Sequence, residues 1–317
     1  MVDIDEVAKK IYLIDDQLYS IPKFGSVYLL NEERKALIDS GPATSANSVL
    51  DGIKQVGVKP EDIAYIIVTH IHLDHAGGAG VLLRSMPQAQ VVVHYKGAQH
   101  LINPARLIDS VTDVYGEEPT TRHGEVLPVE SRQVLAIHEG DTIKLGKEQI
   151  LKFIDAPGHA PHELCIYETR SGGLFVGDAI GLSVVENEIL LPFHPLPNFD
   201  LELYLNTLER LTKLAPTMLY YAHFGISSKV QEDFQLAKDK LQIWDDIIAK
   251  AIKENAFDDA ARRLMVQVSA TLEPIRGVEF LKSLYEFLIQ VYLPLCAAGH
   301  IKYYQKAIKL TKCMEAK

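Results

Sequence analysis

Cysteine is scarce in this chain of 317 residues. Cys165, Cys296 and Cys313 are widely spaced, odd in number and form no CxxC pair. Such a set argues against a disulfide framework and fits a reducing compartment. Positive charge is also in short supply: 32 Lys and Arg face 42 Asp and Glu, a formal net charge of −10. That balance disfavours a nucleic-acid or anionic-membrane surface, where clustered Lys and Arg are expected. No uninterrupted apolar run approaches the roughly 18 residues of a membrane span. The opening MVDIDEVAKKIYLID holds no apolar stretch of the signal-peptide kind. There is no GxSxG motif and therefore no serine nucleophile elbow. The expectation is a cytoplasmic, acidic protein acting on a small molecule, with neither nucleic acid nor membrane as partner.

What is present can build a sizeable core, since 47% of residues are hydrophobic and 23% charged. Residues 1–226 read as short strands mixed with helices. Ile11–Ile14, Leu18–Ile21, Ser26–Leu30 and Ala36–Asp39 are brief apolar runs between turn residues, predicted as strands. Ser45 to Val56 has helical spacing and stops at Gly57. Ala64–Thr69 is an apolar run of the doubly buried strand type, and Gln90–His94 is another strand. A helix is predicted from Pro104 to Tyr115, then a loop from Gly116 to Pro128. Strands resume at Gln133–Ile137, Thr142–Leu145, Gln149–Ile154, Glu163–Glu168, Leu174–Val176 and Thr217–Tyr221, with a helix over Asp200–Leu214. Residues 227–317 have only helical periodicity, seen in Phe234, Ala237, Leu241, Trp244, Ile248 and Ala251, and again in Leu281, Leu284, Leu288, Val291 and Leu295. The fold class is an α/β or α+β sandwich with a C-terminal helical appendage. The appendage would cover one side of a pocket or supply a homodimer face.

The chemistry concentrates in Thr69-His70-Ile71-His72-Leu73-Asp74-His75, directly after an apolar strand. His70 and His72 are two apart and leave an extended segment on the same side. Asp74 and His75 are adjacent and diverge toward a second point. Imidazole and carboxylate suit Zn, Fe or Mn. The context repeats elsewhere. His159 in APGHAPH follows a strand, Asp178 in LFVGDA ends one, and His223 in LYYAHFG ends another. Strand ends hold side chains rigidly in a loop-lined pocket. The seven candidates are enough for two metals.

HIHLDH, then GH, then GDA, then HFG, in this order, resembles the metallo-β-lactamase fold superfamily over about residues 8–225. The resemblance implies an αββα sandwich. It also implies that His70, His72 and His159 hold one divalent metal ion (Zn, Fe or Mn), that Asp74, His75 and His223 hold a second, and that Asp178 bridges them. THIHLDHAGGAG, the Pro104–Glu117 stretch, APGHAPHE and GDA further resemble the Sulfolobus-type hydrolase-like subfamily, itself similar to the quinolone-signal response thioesterase with its C-terminal helices. Glyoxalase II shares the two-metal set and a helical C-terminal region.

The function so implied is dinuclear metal-dependent hydrolysis of an ester, thioester or related acyl bond, with Asp74 as the catalytic carboxylate that orients the nucleophile and takes its proton. The alternatives are a non-haem di-iron redox or oxygen-binding protein, and phosphodiesterase or lactonase activity on the same site. Flavodiiron oxygen reductases resemble the pattern but place Glu where His72 stands. Acyl-homoserine lactonases carry Tyr three residues after the bridging Asp, where this chain has Gly181. Further pocket candidates are His162, three residues after His159, and Phe193 and His194 in the Pro-rich LPFHPLP loop. Tyr115 and Arg106 would face the mouth from their helix. For these the alternative is an ordinary turn, core or surface role.

Overall fold

The computed structural model describes residues 2–116, 119–184, 189–256 and 259–315, apart from the side chains of 115, 119–120 and 308–315. Seven strands form one sheet in chain order: β1 (Ile4–Ala8), β2 (Ile11–Asp15), β3 (Ser26–Leu30), β4 (Lys35–Ile38), β5 (Ile63–Ile67), β6 (Gln90–His94) and β7 (Val134–Ile137). The pairing is antiparallel from β1 to β4 and parallel from β4 to β7. The remaining strands are β8 (Thr142–Lys144), β9 (Ile150–Asp155), β10 (Leu164–Glu168), β11 (Gly173–Phe175), β12 (Leu182–Val184), β13 (Ile189–Leu191), β14 (Met218–Tyr220) and β15 (Ile226–Ser227). Six of them make a second sheet in the order β15-β14-β11-β10-β9-β8, while β12 and β13 form a separate hairpin.

Side-chain alternation explains the layering. Leu13, Tyr28, Leu30, Ile38, Tyr65, Ile67 and Val92 meet Leu151, Phe153, Ile166, Phe175 and Tyr220 between the sheets. Their strand neighbours Ile14, Val27, Leu29, Leu37, Ile66, Val91 and Val93 point to the opposite face. There they pack on α1 (Ala46–Gln55), α2 (Leu73–Ala76), α3 (Ala79–Leu82), α4 (Ala98–Ile102) and α5 (Ala105–Tyr115). A short α6 (Pro119–His123) comes next. The outer face of the second sheet is covered by α7 (Leu201–Leu214) and the first turns of α8 (Val230–Lys253), through Tyr204, Leu208, Leu211, Phe234 and Ala237. The result is the αββα sandwich.

Beyond it lie the rest of α8, α9 (Ala260–Leu272), α10 (Lys282–Phe287) and α11 (Leu293–Glu315). Their core, with Trp244, Ile248, Leu264, Val268, Leu284 and Leu288, is continuous with Leu18, Ile21 and Phe24 and with the β12–β13 hairpin. The helical layer therefore shares one hydrophobic cluster with the rim of the sandwich. The helical stretch Glu279–Ala307 is long and apolar enough, by length and composition, to cross a membrane. Its Leu284, Leu288, Tyr292, Leu293 and Cys296 are buried inside the protein, as in a core helix.

The structure differs from the sequence expectations in several places, each with a physical reason. Leu18–Ile21 is not a strand. Leu18–Ser20 is a 3₁₀ turn, because Asp15 and Asp16 accept the N–H groups of Gln17, Leu18 and Lys23 and curl the chain. The Gly116–Pro128 loop contains α6. β1 went unpredicted because its burial is irregular and it sits at a sheet edge. The Leu281–Leu295 stripe holds only to Leu288. A π-helical turn at Leu288–Tyr292 then inserts one residue, and burial passes to Tyr292, Leu293, Cys296 and Ala297 instead of Val291 and Leu295. Ile308 and the candidate pocket residue Tyr115 lie outside the described side chains.

Candidate metal centre

Strand ends bring the chemistry to one edge of the sandwich. β4 runs into Asp39, β5 into Thr69 and the His-rich segment, β11 into Asp178, β14 into His223, and the turn after β9 carries His159. β4 with β5 and β11 with β14 are parallel pairs, so partner ends lie together. His72 is the extended N-cap residue of α2, which places His70 and His72 on the strand exit and Asp74 and His75 in the first helical turn. The divergence of the two pairs comes from this change of backbone.

Two groups result. His70, His72, His159 and Asp178 offer ligand atoms within 4.8 Å of one another, and so do Asp74, His75 and His223. His72 Nδ1 lies 2.9 Å from both His70 Nε2 and His159 Nε2. Asp178 stands between the groups. Its Oδ2 is 3.4 Å from His159 Nε2, 3.7 Å from His70 Nε2 and 3.5 Å from His75 Nε2, and its Oδ1 is 3.3 Å from His223 Nε2. Asp74 Oδ2 lies 3.7 Å from His75 Nε2 and 4.0 Å from His223 Nε2. All seven candidates are thus gathered in one place.

Hydrogen bonds from behind set which nitrogen of each ring is bare, assigned here from the network. His159 Nδ1–H donates to the Phe193 carbonyl at 2.8 Å. His75 Nδ1–H donates to Asp39 Oδ2 at 3.0 Å. The Thr69 hydroxyl donates to the Asp39 carboxylate and so accepts from His70 Nδ1–H at 3.1 Å. In each case Nε2 is left facing the centre, the arrangement of a metal-binding imidazole with its outer partner. Asp39 thereby orients one histidine of each group.

The donor set fits divalent cations. Both carboxylate oxygens of Asp178, His75 Nε2, and Nδ1 and Nε2 of His223 are buried without a hydrogen-bond partner among the described residues. A buried carboxylate with no donor is costly unless a cation faces it. Burial, then neighbouring histidines, hold His70 well below the ordinary imidazole range and His72 down to about 3. Burial also lowers His159, against the pull of Asp178. His75 and His223 are raised: burial opposes their charge, but Asp178 foremost and Asp74 outweigh it. Burial would raise Asp178, yet His75, His223 and His159 hold it well below the carboxylate range. Asp74 is lowered in the same sense, with burial outweighed by His75 and His223. Protons would therefore compete with a cation at the second group.

The outer candidates separate. His162 stands with its ring 5.8 Å from that of His72 and lines the adjoining cavity. Phe193 walls the centre, its ring 5.0 Å from His159 and 5.7 Å from His223. His194 is fully buried away from that cavity, its Nδ1–H donating to the Cys296 carbonyl and its ring against Phe199, Trp244 and His300. It joins the loop to the helical layer. Arg106 lines the cavity. Sequence reasoning passed over Asp39, although it ends an apolar strand before Ser-Gly much as Asp178 ends one before Ala. It also passed over Tyr204, whose hydroxyl donates to the Asp178 carbonyl at 3.1 Å, and Phe24, whose ring is 5.4 Å from His223. Those two carried no signal in the local sequence.

A two-sheet sandwich with a His- and Asp-lined centre at one edge defines a class of metal-binding α/β proteins. Residues 21–223 match the metallo-beta-lactamase superfamily, and the chain belongs to it. It is 28% identical over 236 residues to a metallo-beta-lactamase fold-containing protein of Sulfurisphaera tokodaii, spanning 71% of this chain and 84% of that one. It is 30% identical over 186 residues to an N-acyl homoserine lactonase of a Bacillus species, spanning 57% of this chain and 63% of that one. Among solved structures, an archaeal metallo-beta-lactamase superfamily protein from Sulfolobus tokodaii superposes with a TM-score of 0.61 at 25% identity, covering 75% of this chain and 86% of its own. A metallo-beta-lactamase family protein from Thermus thermophilus gives 0.62 at 21% identity, covering 89% of each.

Proposed function

We propose that this chain is a dinuclear metal-dependent hydrolase of an ester, thioester or related acyl bond. The observation that carries the reading is Asp178, whose two unpartnered oxygens face His159 and His75 on one side and His223 on the other. When bound, a pair of divalent cations (Zn, Fe or Mn) would supply Lewis-acid polarisation of an acyl oxygen and lower the pKa of water. His70, His72 and His159 would hold one, Asp74, His75 and His223 the other, and Asp178 both.

The chain's own groups do the rest. Asp74 is ionised at neutral pH, since its pKa is lowered, and its side chain keeps 14% exposure. It can accept a proton from an attacking water. Phe24 and Phe193 keep bulk water from His223 and His159. Tyr204 ties the Asp178 backbone in place. The buried free thiols of Cys165 and Cys296 suit a reducing cytoplasm.

Lactonase activity, the opening of a cyclic ester, is an alternative on the same site. The Bacillus relative acts on N-acyl homoserine lactones by its name. At the third position after Asp178, Gly181 has φ +105°, and an added Cβ would meet the Leu191 carbonyl oxygen at 2.3 Å. No tyrosine fits there on this backbone. The test is elemental analysis of the purified protein with a panel of thioesters, esters, lactones and phosphodiesters, run on the wild type and His72→Ala. Two metals per chain and acyl turnover lost in the variant are expected. A metal-replete protein inert on all acyl substrates refutes it. Phosphodiester turnover alone would favour the phosphodiesterase alternative, and oxygen-sensitive iron absorption without hydrolysis the redox one.

A further inference from the structure

A cavity of about 220 Å³ adjoins His72. One wall is apolar, built from Leu107, Val111 and Val114 on a single face of α5 together with Ile71 and Leu196. Lys96, His100 and Arg106 also line it, and among the described residues no Asp or Glu does. Lys96 and Arg106 are exposed, and among the described residues neither has an ion-pair partner. The acids of α5, Asp109 and Asp113, are exposed and form no part of this wall. His162, 7% exposed, lines the cavity too, and its Nδ1 has no hydrogen-bond partner among the described residues.

Exposed Lys and Arg are ordinary on a protein surface. Here no carboxylate among the described residues shares their lining, the setting is concave and apolar, and the chain's net charge is −10. Low-dielectric walls focus the field of such charges into the cleft. The apolar wall accepts hydrocarbon, the cations at its lining attract a counter-charge, and the Arg fork matches carboxylate or phosphate oxygens in two places. The volume is below that of a drug-sized pocket, which restricts the segment to a short one.

We propose that this cavity binds the acyl portion of the substrate, a short hydrocarbon segment ending in an anionic oxyacid group gripped by Lys96 and Arg106, with His162 Nδ1 facing a polar group nearer His72. The proposal rests on the acyl-hydrolase reading for its substrate, while anion binding can be measured apart from it.

The experiment compares metal-replete wild type with a Lys96→Gln/Arg106→Gln double variant. Butanoyl, succinyl and phosphate-terminated acyl thioesters of one thiol serve as substrates, and succinate and inorganic phosphate as calorimetric probes. For the wild type, kcat/KM should favour an anion-terminated thioester at least tenfold over butanoyl, and whichever one is favoured identifies carboxylate or phosphate as the group. In the double variant that ratio should fall tenfold or more, and the matching probe should bind at least tenfold more weakly, the scale of one or two charge-assisted hydrogen bonds. A ratio unchanged by the substitutions, or probes binding equally to both proteins, overturns the proposal. Weakened probe binding in the variant, with no turnover of thioester, ester or lactone by either protein, supports the anion site and sinks the hydrolase reading.

Discussion

Asp39→Asn changes one atom outside the ligand set and should damage one metal group more than the other. Asp39 accepts from the Thr69 backbone N–H at 2.7 Å and from the Thr69 hydroxyl at 3.0 Å through Oδ1, and from His75 Nδ1–H at 3.0 Å through Oδ2. An amide keeps one of these acceptors. Two donors converge on Oδ1, so the amide oxygen stays there and the NH₂ faces His75. His75 must then give up its Nδ1 proton and carry one on Nε2, the nitrogen that looks at Asp178 and Asp74. A cation at that group would have to displace the proton or bind a turned ring. Loss of such an outer partner costs about 10- to 100-fold in metal affinity, or about 1.4–2.8 kcal/mol. The His70 group retains the Thr69 relay and should change less. Competition with a chromophoric chelator, followed by metal analysis after gel filtration, reads both affinities. Two affinities within twofold of wild type, or equal loss from both groups, would refute the assignment of Asp39 as the orienting group of His75.

Three further outcomes are expected from the packing and the charges. Asp16 is buried, and that burial, with Asp15 beside it, pushes its pKa up to about 7. Its native form holds a proton more tightly than the unfolded chain, so the stability it contributes is full below about pH 4 and is lost as pH rises to about 7, a change of about 4 kcal/mol at most. Asp16→Asn should therefore gain stability over wild type in urea melts between pH 5 and pH 8, and parallel curves for the two proteins would contradict this. Leu264→Ala empties a fully buried site in the cluster shared by the helices and the sandwich rim, and should cost about 2–5 kcal/mol in a single unfolding transition. A separate early transition of the helices would show instead that the layer folds alone. Gly158 has φ +142°, and a Cβ there would come 2.4 Å from Tyr204 Cα, so Gly158→Ala should cost about 2 kcal/mol or more and weaken metal retention through His159; a variant with wild-type melting would show that α7 can yield.

The clustering of the seven candidate residues was legible in the sequence because their chemistry is local. HIHLDH needs only a strand followed by a helical turn to split into two divergent pairs, and β5 and α2 provide that. His159, Asp178 and His223 each end or follow an apolar run, so their places at strand exits could be read without knowing the topology. Their supports were less visible. The Thr69–Asp39 relay joins residues thirty apart in sequence through a parallel pair of strands. The fate of His194 depended on α8 and α11 closing over its loop, which no local pattern announces. Helical periodicity likewise described α10 well and misread the turn after it, since a π turn leaves no mark in a 3.6-residue count.

That extra residue before the last long helix has an architectural consequence. It swings the Tyr292 hydroxyl onto the Pro192 carbonyl, one position before the Phe193 carbonyl that holds His159. A chain cut after Ser227 would still carry every imidazole and carboxylate of the centre, yet would be deprived of the strut that steadies one of them. The candidate ligands are written in the first three-quarters of the polypeptide, and part of the scaffolding that aims them is written in the last.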